Sequence, residues 1–247
     1  MRQYYYLHIP KTAGTSLGNI IEAQFLQEQI NHEYNSLANI GKMDAKEFAE
    51  YRLIRGHFTY SLVEKFQSFP HIITMLRHPV ERTLSHLLHV KNIPSFWLHK
   101  YVPLTTEPLE EVLEYEETKK FICNHQLRLI GYDFNLNHVK EPKMFYVPYE
   151  ADEALFNTAC RRLTTCEFVG IAERFTESVE LLCSIFYWGR VTHIPKLNMR
   201  TCKSQDDKVS DEIVQRILDL NTFEMKFYDF ACKLFEERLA SMRSSNV

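Results

Sequence analysis

Glycine is scarce in this sequence, 7 of 247 residues, and no repeat or low-complexity stretch is present, which excludes solenoid arrays and compositionally biased chains. The six cysteines, at 123, 160, 166, 183, 202 and 232, form no CxxC pair, and the spacing from Cys160 to Cys166 matches no zinc pattern. Cys183 and Cys232 lie among apolar residues and read as buried thiols in a reducing compartment. No run of about 18 apolar residues exists to span a membrane. The apolar run near Met1 is too short for a secretory leader, so a cytoplasmic location is expected. There is no excess of positive charge either. The formal net charge is −3 and the pI about 6.4, which argues against a partner of nucleic acid or anionic membrane. An anion site, if present, must be built from the placement of a few basic residues.

What the chain does contain is ordinary globular material, 45% hydrophobic and 25% charged, enough for one large α/β domain over residues 1–247. The 13 Tyr and 17 Phe are core material first and candidate lining for a ring-shaped acceptor second. Short apolar runs at 4–9, 53–54, 72–76, 144–147 and 168–171 read as strands. Helical periodicity covers 15–29, with Thr15 or Ser16 as N-cap, then 80–90 after Pro79, an irregular stretch over 94–124, and 152–163, 176–187 and 210–239. Strands alternating with helices predict a three-layer αβα fold around a parallel sheet. Ligands of such sheets bind beyond the carboxyl ends of the strands, which singles out 10–16, 55–58 and 77–85.

In the first of these, Pro10-Lys11-Thr12-Ala13-Gly14-Thr15-Ser16 leads from a strand into a helix. A helix N-terminus offers N–H groups and partial positive charge. Gly14 is expected to let the backbone approach an anion, Thr12, Thr15 and Ser16 to donate hydroxyls, and Lys11 to add a full charge, a P-loop-like cradle for phosphate or sulfate. It is not a Walker A loop, in which Lys follows the second Gly. In the third segment, Arg77-His78-Pro79-Val80-Glu81-Arg82-Thr83-Leu84-Ser85 places an Arg fork at a strand end and a hydroxyl two turns along the next helix. Alone, Arg77 reads equally as an ion pair with Glu81, and Arg82 as a donor contact or a solvated charge. In the second, Arg55-Gly56-His57-Phe58 sets a histidine just past a strand, where it can accept a proton at neutral pH. The alternative reading of His57 is a capping or packing residue. His86 and His89, one turn apart, and His125 compete with it. No third ligand accompanies the pair at 86 and 89, so no metal is expected.

P-K-T-A-G-T-S after an N-terminal strand resembles the 5′-phosphosulfate loop of sulfotransferases that use PAPS (3′-phosphoadenosine 5′-phosphosulfate). The likeness is greatest to the carbohydrate group that includes heparan sulfate 2-O-sulfotransferase and its bacterial relatives. R-x-P-x-x-R-x-x-S resembles the family's 3′-phosphate site, and Gly-His-Phe the segment that supplies its catalytic His. The resemblance implies PAPS as co-substrate and PAP as product, held by residues 11–16, Arg77 and Ser85. It implies catalytic roles for Lys11 and for His57, which would also touch the acceptor. Asn124-His125-Gln126-Leu127-Arg128 resembles an N-x-Q-x-R stretch beside the cleft and offers Gln126 and Arg128 as acceptor contacts. Val169-Gly170-Ile171-Ala172-Glu173 resembles a scaffold strand end. Lys196-Leu197-Asn198-Met199-Arg200-Thr201 resembles a late segment closing over the nucleotide, with Arg200 or Lys203 as a further phosphate contact.

The reaction so implied is in-line transfer of a sulfuryl group to a hydroxyl. The acceptor is expected to be a sugar, a glycolipid or a small molecule, because residues 92–120 are aromatic and acidic (Phe96, Trp97, Tyr101, Tyr115) rather than broadly basic. Two other classes compete: a P-loop kinase-like phosphotransferase, which would require Mg²⁺, and a non-catalytic nucleotide-binding module. Nothing in the sequence sets an oligomeric state.

Overall fold

The computed structural model describes residues 2–33, 35–136, 147–189 and 209–245. Its centre is a parallel four-stranded sheet of order β2-β1-β3-β4, formed by β1 (Tyr4–Leu7), β2 (Leu53–Gly56), β3 (His71–Leu76) and β4 (Phe168–Ile171). Strands covered on both faces should be nearly continuous in apolar residues, and β1 and β3 are: Tyr5, Tyr6, Leu7, Ile72, Ile73, Met75 and Leu76 are all buried, with Thr74 between them donating its hydroxyl to the Leu7 carbonyl at 3.0 Å. Two of the β1 tyrosines satisfy their hydroxyls locally, Tyr5 donating to the Thr59 carbonyl at 2.7 Å and Tyr6 to that of Gly14 at 3.2 Å, as buried phenols must.

Helices flank the sheet. Between β1 and β2 run α1 (Gly14–Glu22), α2 (Leu37–Lys42) and α3 (Ala45–Glu50). Between β3 and β4 run α4 (Pro79–Lys91), α5 (Leu109–Val112), α6 (Glu116–Ile122), α7 (His125–Gly131) and α8 (Glu153–Thr165). After β4 come α9 (Phe175–Phe186), α10 (Asp211–Leu220) and α11 (Thr222–Ser245). The chain leaves β1 toward β2, then crosses back to β3 on the other side of β1. That reversal is a topological switch point. A second apolar cluster lies along α4, where Val80, Leu84, Leu87 and Val90 meet Leu98, Val112, Phe121, Ile213 and Ile217.

Three expectations are corrected. The first helix begins at Gly14 and ends at Glu22, with Ala13 at its N-cap in the left-handed region (φ 63°) and no side-chain cap. Thr15 and Ser16 are inside its first turn because the loop curls tightly at Lys11 (φ 69°) and Ala13. The helix expected over 210–239 is two, broken at Asn221, whose Oδ1 accepts from the Asn124 N–H at 2.8 Å while its Nδ2 donates to the Ile217 carbonyl at 2.8 Å. Asparagine side chains compete with helical main chain in this way. Cys183 is buried as expected, whereas Cys232 is half-buried. Of the strand expected at 144–147, residues 144–146 lie outside the described residues, as do 196–201, including Arg200, and Lys203.

Candidate functional site

The register of the sheet sets the three singled-out segments side by side. Leu7 of β1 is level with Gly56 of β2 and with Thr74 of β3. The loop carrying Lys11, the residue His57 and the residue Arg77 therefore leave one edge of three adjacent strands, which lie about 4.8 Å apart. They are also bonded together: His57 Nδ1 donates to the His8 carbonyl at 2.9 Å, and Arg77 Nη1 donates to the Lys11 carbonyl at 3.3 Å.

The loop spends conformational strain on its shape. Lys11 and Ala13 both hold positive φ, at roughly 1–2 kcal/mol each for a residue with a Cβ. Where left-handed Ala13 meets helical Gly14, successive N–H groups turn toward one point, an anion-binding concavity. Thr12 is fully buried and donates to the Ile9 carbonyl at 2.8 Å, so it shapes the turn instead of presenting its hydroxyl. Thr15 is exposed and Ser16 buried. Packing adds a second requirement for glycine at 14. A Cβ there would lie 2.5 Å from His8 Cε1 and closer still to Nε2 and Cδ2. Gly14 makes room for the His8 ring.

That ring is stacked on Tyr6 (centroids 5.3 Å apart, planes 8° apart) and lies 4.4 Å from the ring of His57. Burial, then the charges of His57, Arg55 and Lys11, hold His8 well below the usual 6.5, so it is neutral. The sequence offered no sign of this role, since His8 read as the end of a strand. Gly56 reaches its position with φ 155°, a value few side-chain-bearing residues adopt, and so directs half-buried His57 toward the loop. A neutral histidine donating from Nδ1 carries its lone pair on Nε2. The competing histidines are differently placed. His86 and His125 are buried and pushed well below 6.5, by burial and then by the charge of Arg82. His89 is exposed, and is lowered by partial burial and by Lys11. Among the described residues no group of three His, Cys, Asp or Glu is arranged to hold a metal.

Arg77 makes the ion pair with Glu81 (Nη2 to Oε2, 3.3 Å) and approaches Glu173 (Nε to Oε1, 3.9 Å). Ser85 follows Glu81 by four residues, on the same face of α4, and is half-buried. Glu173 also accepts from the His78 N–H and the Tyr228 hydroxyl, both at 2.9 Å, consistent with its reading as scaffold. Arg82 is neither a donor contact nor solvated. It is fully buried, with Nε 3.4 Å from Glu224 Oε1 and Nη2 donating to the Ile122 carbonyl at 2.8 Å.

Gln126 and Arg128 are corrected most. Both are fully buried on α7. Arg128 donates to the carbonyls of Lys120 (2.7 Å), Cys123 (3.2 Å) and Val147 (3.0 Å), and burial lowers it to about 10. Gln126 bonds the main chain of Arg77. Neither side chain is placed to touch an acceptor. Gln126 is held from α11, nearly a hundred residues later in the chain, by Glu224, which no local motif reveals.

A sequence model described as the sulfotransferase family matches residues 3–231. Similar proteins include heparan-sulfate 6-O-sulfotransferase 1-B of Danio rerio, 27% identical over 191 residues that cover 71% of this chain and 46% of that protein. Heparan-sulfate 6-O-sulfotransferase 2 of Homo sapiens is 26% identical over 190 residues, 70% of this chain and 31% of that protein. Heparan-sulfate 6-O-sulfotransferase 1 of Homo sapiens is 26% identical over 182 residues, 67% and 43%. The chain spans less than half the length of these relatives. They fall in the carbohydrate group that the motifs resemble, and their names specify the 6-O position.

Proposed function

The chain belongs to the sulfotransferase family, and from that premise we propose that it transfers a sulfuryl group from PAPS to a hydroxyl of a carbohydrate. The observation that carries the donor is the alignment of the Lys11 loop with Arg77 at adjacent strand ends, joined by the bond from Arg77 Nη1 to the Lys11 carbonyl. A nucleotide with phosphate groups at both its 5′ and 3′ positions needs two anion sites, and the strained loop and the Arg77 fork supply them. When bound, PAPS supplies a sulfuryl group already activated as a mixed anhydride with phosphate.

The first turn of α1 holds the 5′-phosphate by its N–H groups and partial positive charge. Lys11 neutralises the negative charge that grows on the bridging oxygen, a preorganised electrostatic contribution. Arg77 and Ser85 hold the 3′-phosphate, Arg77 exchanging Glu81 for a stronger, doubly charged partner. His57 takes the acceptor's proton on Nε2, its ring fixed by the bond from Nδ1 to the His8 carbonyl. The names of the relatives support a carbohydrate over the small-molecule acceptor that the aromatic stretch at 92–120 also allowed.

The test is transfer of labelled sulfate from PAPS to an unsulfated heparan backbone and to a neutral oligosaccharide. His57→Ala should lower turnover by roughly 10²- to 10⁴-fold while leaving PAP affinity unchanged. Turnover surviving in His57→Ala would remove His57 as the base, and no transfer to either sugar would sink the carbohydrate reading.

A further inference from the structure

The Gln126 carboxamide closes a pair of hydrogen bonds on the main chain of Arg77: Oε1 accepts from its N–H at 2.9 Å and Nε2 donates to its carbonyl at 2.8 Å. Arg77 stands one residue past the last pairing of β3 with β4, Leu76 with Ile171, so the amide continues the ladder where the strand has ended. The orientation is forced, since a reversed amide would set NH₂ against N–H.

Gln126 is itself held. The Glu224 carboxylate accepts from its main-chain N–H at 2.8 Å and from Nε2 at 3.1 Å, and pairs with Arg82. Gln126, Glu224 and Arg82 are all fully buried. A buried ion pair is a weak source of stability, because apolar residues of similar volume often serve as well. An apolar side chain, however, has no matched acceptor and donor for the Arg77 peptide. The chain of contacts ends at a residue whose guanidinium lies between the Lys11 carbonyl, Glu81 and Glu173, where a small rotation of the peptide would redirect the fork.

Resting on the donor reading above, we propose that Gln126 is a positioning residue for nucleotide selection: by clamping the Arg77 peptide it aims the guanidinium so that the site distinguishes a nucleotide bearing a 3′-phosphate from one lacking it. The acceptor plays no part in this role.

The test compares binding of PAP and AMP to the whole chain by calorimetry, in wild type and in Gln126→Met, which keeps the volume and removes both hydrogen bonds. Gln126→Asn, one methylene too short to reach, carries the same test if the first variant does not fold. PAP affinity should fall about tenfold, the effect of one charge-assisted contact, with AMP affinity unchanged. In an Arg77→Ala background the same substitution should change PAP affinity by less than about twofold, because the two act as one unit. A merely structural role would not produce that coupling. A folded variant with unchanged PAP-to-AMP preference, or equal losses with and without Arg77, would overturn the inference. Failure of wild type to bind PAP would instead overturn the donor reading beneath it.

Discussion

Replacing Gly14 with alanine should unfold or severely weaken this protein, although the same change at an open helical position stabilises by about 1 kcal/mol. The new Cβ would fall 2.5 Å from His8 Cε1 and closer to two other ring atoms. Ordinary contact needs about 3.5–4 Å, so the ring must retreat by on the order of 2 Å. It cannot do so freely, being 5% exposed, with the ring of Tyr6 stacked on it and that of His57 beside it. Overpacking of this kind costs about 1–3 kcal/mol, occasionally more, and displacing His8 also pulls its carbonyl from His57 Nδ1. A loss of about 3 kcal/mol would lower the melting temperature by roughly 6–12 °C for a chain of this size. Thermal melts of Gly14→Ala, His8→Ala and the double variant separate steric clash from other causes. Removing the His8 ring should make the Gly14→Ala step nearly neutral. A Gly14→Ala penalty equally large with and without the His8 ring would show that the clash with His8 is not its cause.

Acidification should destabilise the fold through its buried histidines. His8, His86 and His125 are held well below 6.5 by burial, with nearby positive charge adding to it. The folded chain keeps them neutral while the unfolded chain protonates them, so stability drops as pH falls below about 6.5, by up to roughly 1.4 kcal/mol per pH unit for each histidine. Urea midpoints measured from pH 7.5 to 5 check this, and constant stability between pH 6.5 and 5 would contradict it. Arg128→Met should lower stability by about 3 kcal/mol or more, since the carbonyls of Lys120, Cys123 and Val147 lose their donor. Its folded fraction should keep the acceptor KM of wild type, and a raised KM with unchanged stability would return Arg128 to the acceptor site.

The strands were legible because a sheet covered on both faces demands runs rich in apolar and β-branched residues, and residues 72–76, with Thr74 as the one polar member, satisfy that. The placement of 10–16, 55–58 and 77–85 at strand ends was legible for the same reason, from strand–turn–helix order alone. What the sequence concealed was non-local. Gln126 and Arg128 have the chemistry of surface contacts, and only packing of α7 against α11 and α8 turns them inward. The packing requirement at Gly14 was hidden because the neighbour that imposes it, His8, is six residues back and folds over it. Asn221 ends a helix whose apolar period continues past it, because its side chain serves the Asn124 N–H in a different part of the chain.

On the proposed function, the aligned Lys11 loop and Arg77 form a site for a nucleotide bearing both 5′- and 3′-phosphates. The most direct measurement is titration with PAP beside AMP and Mg-ATP, in wild type and in Arg77→Ala. PAP should bind much more tightly than AMP, and Arg77→Ala should weaken PAP about tenfold or more with little effect on AMP. Equal affinity for PAP and AMP, or a preference for Mg-ATP that ignores Arg77, would contradict it.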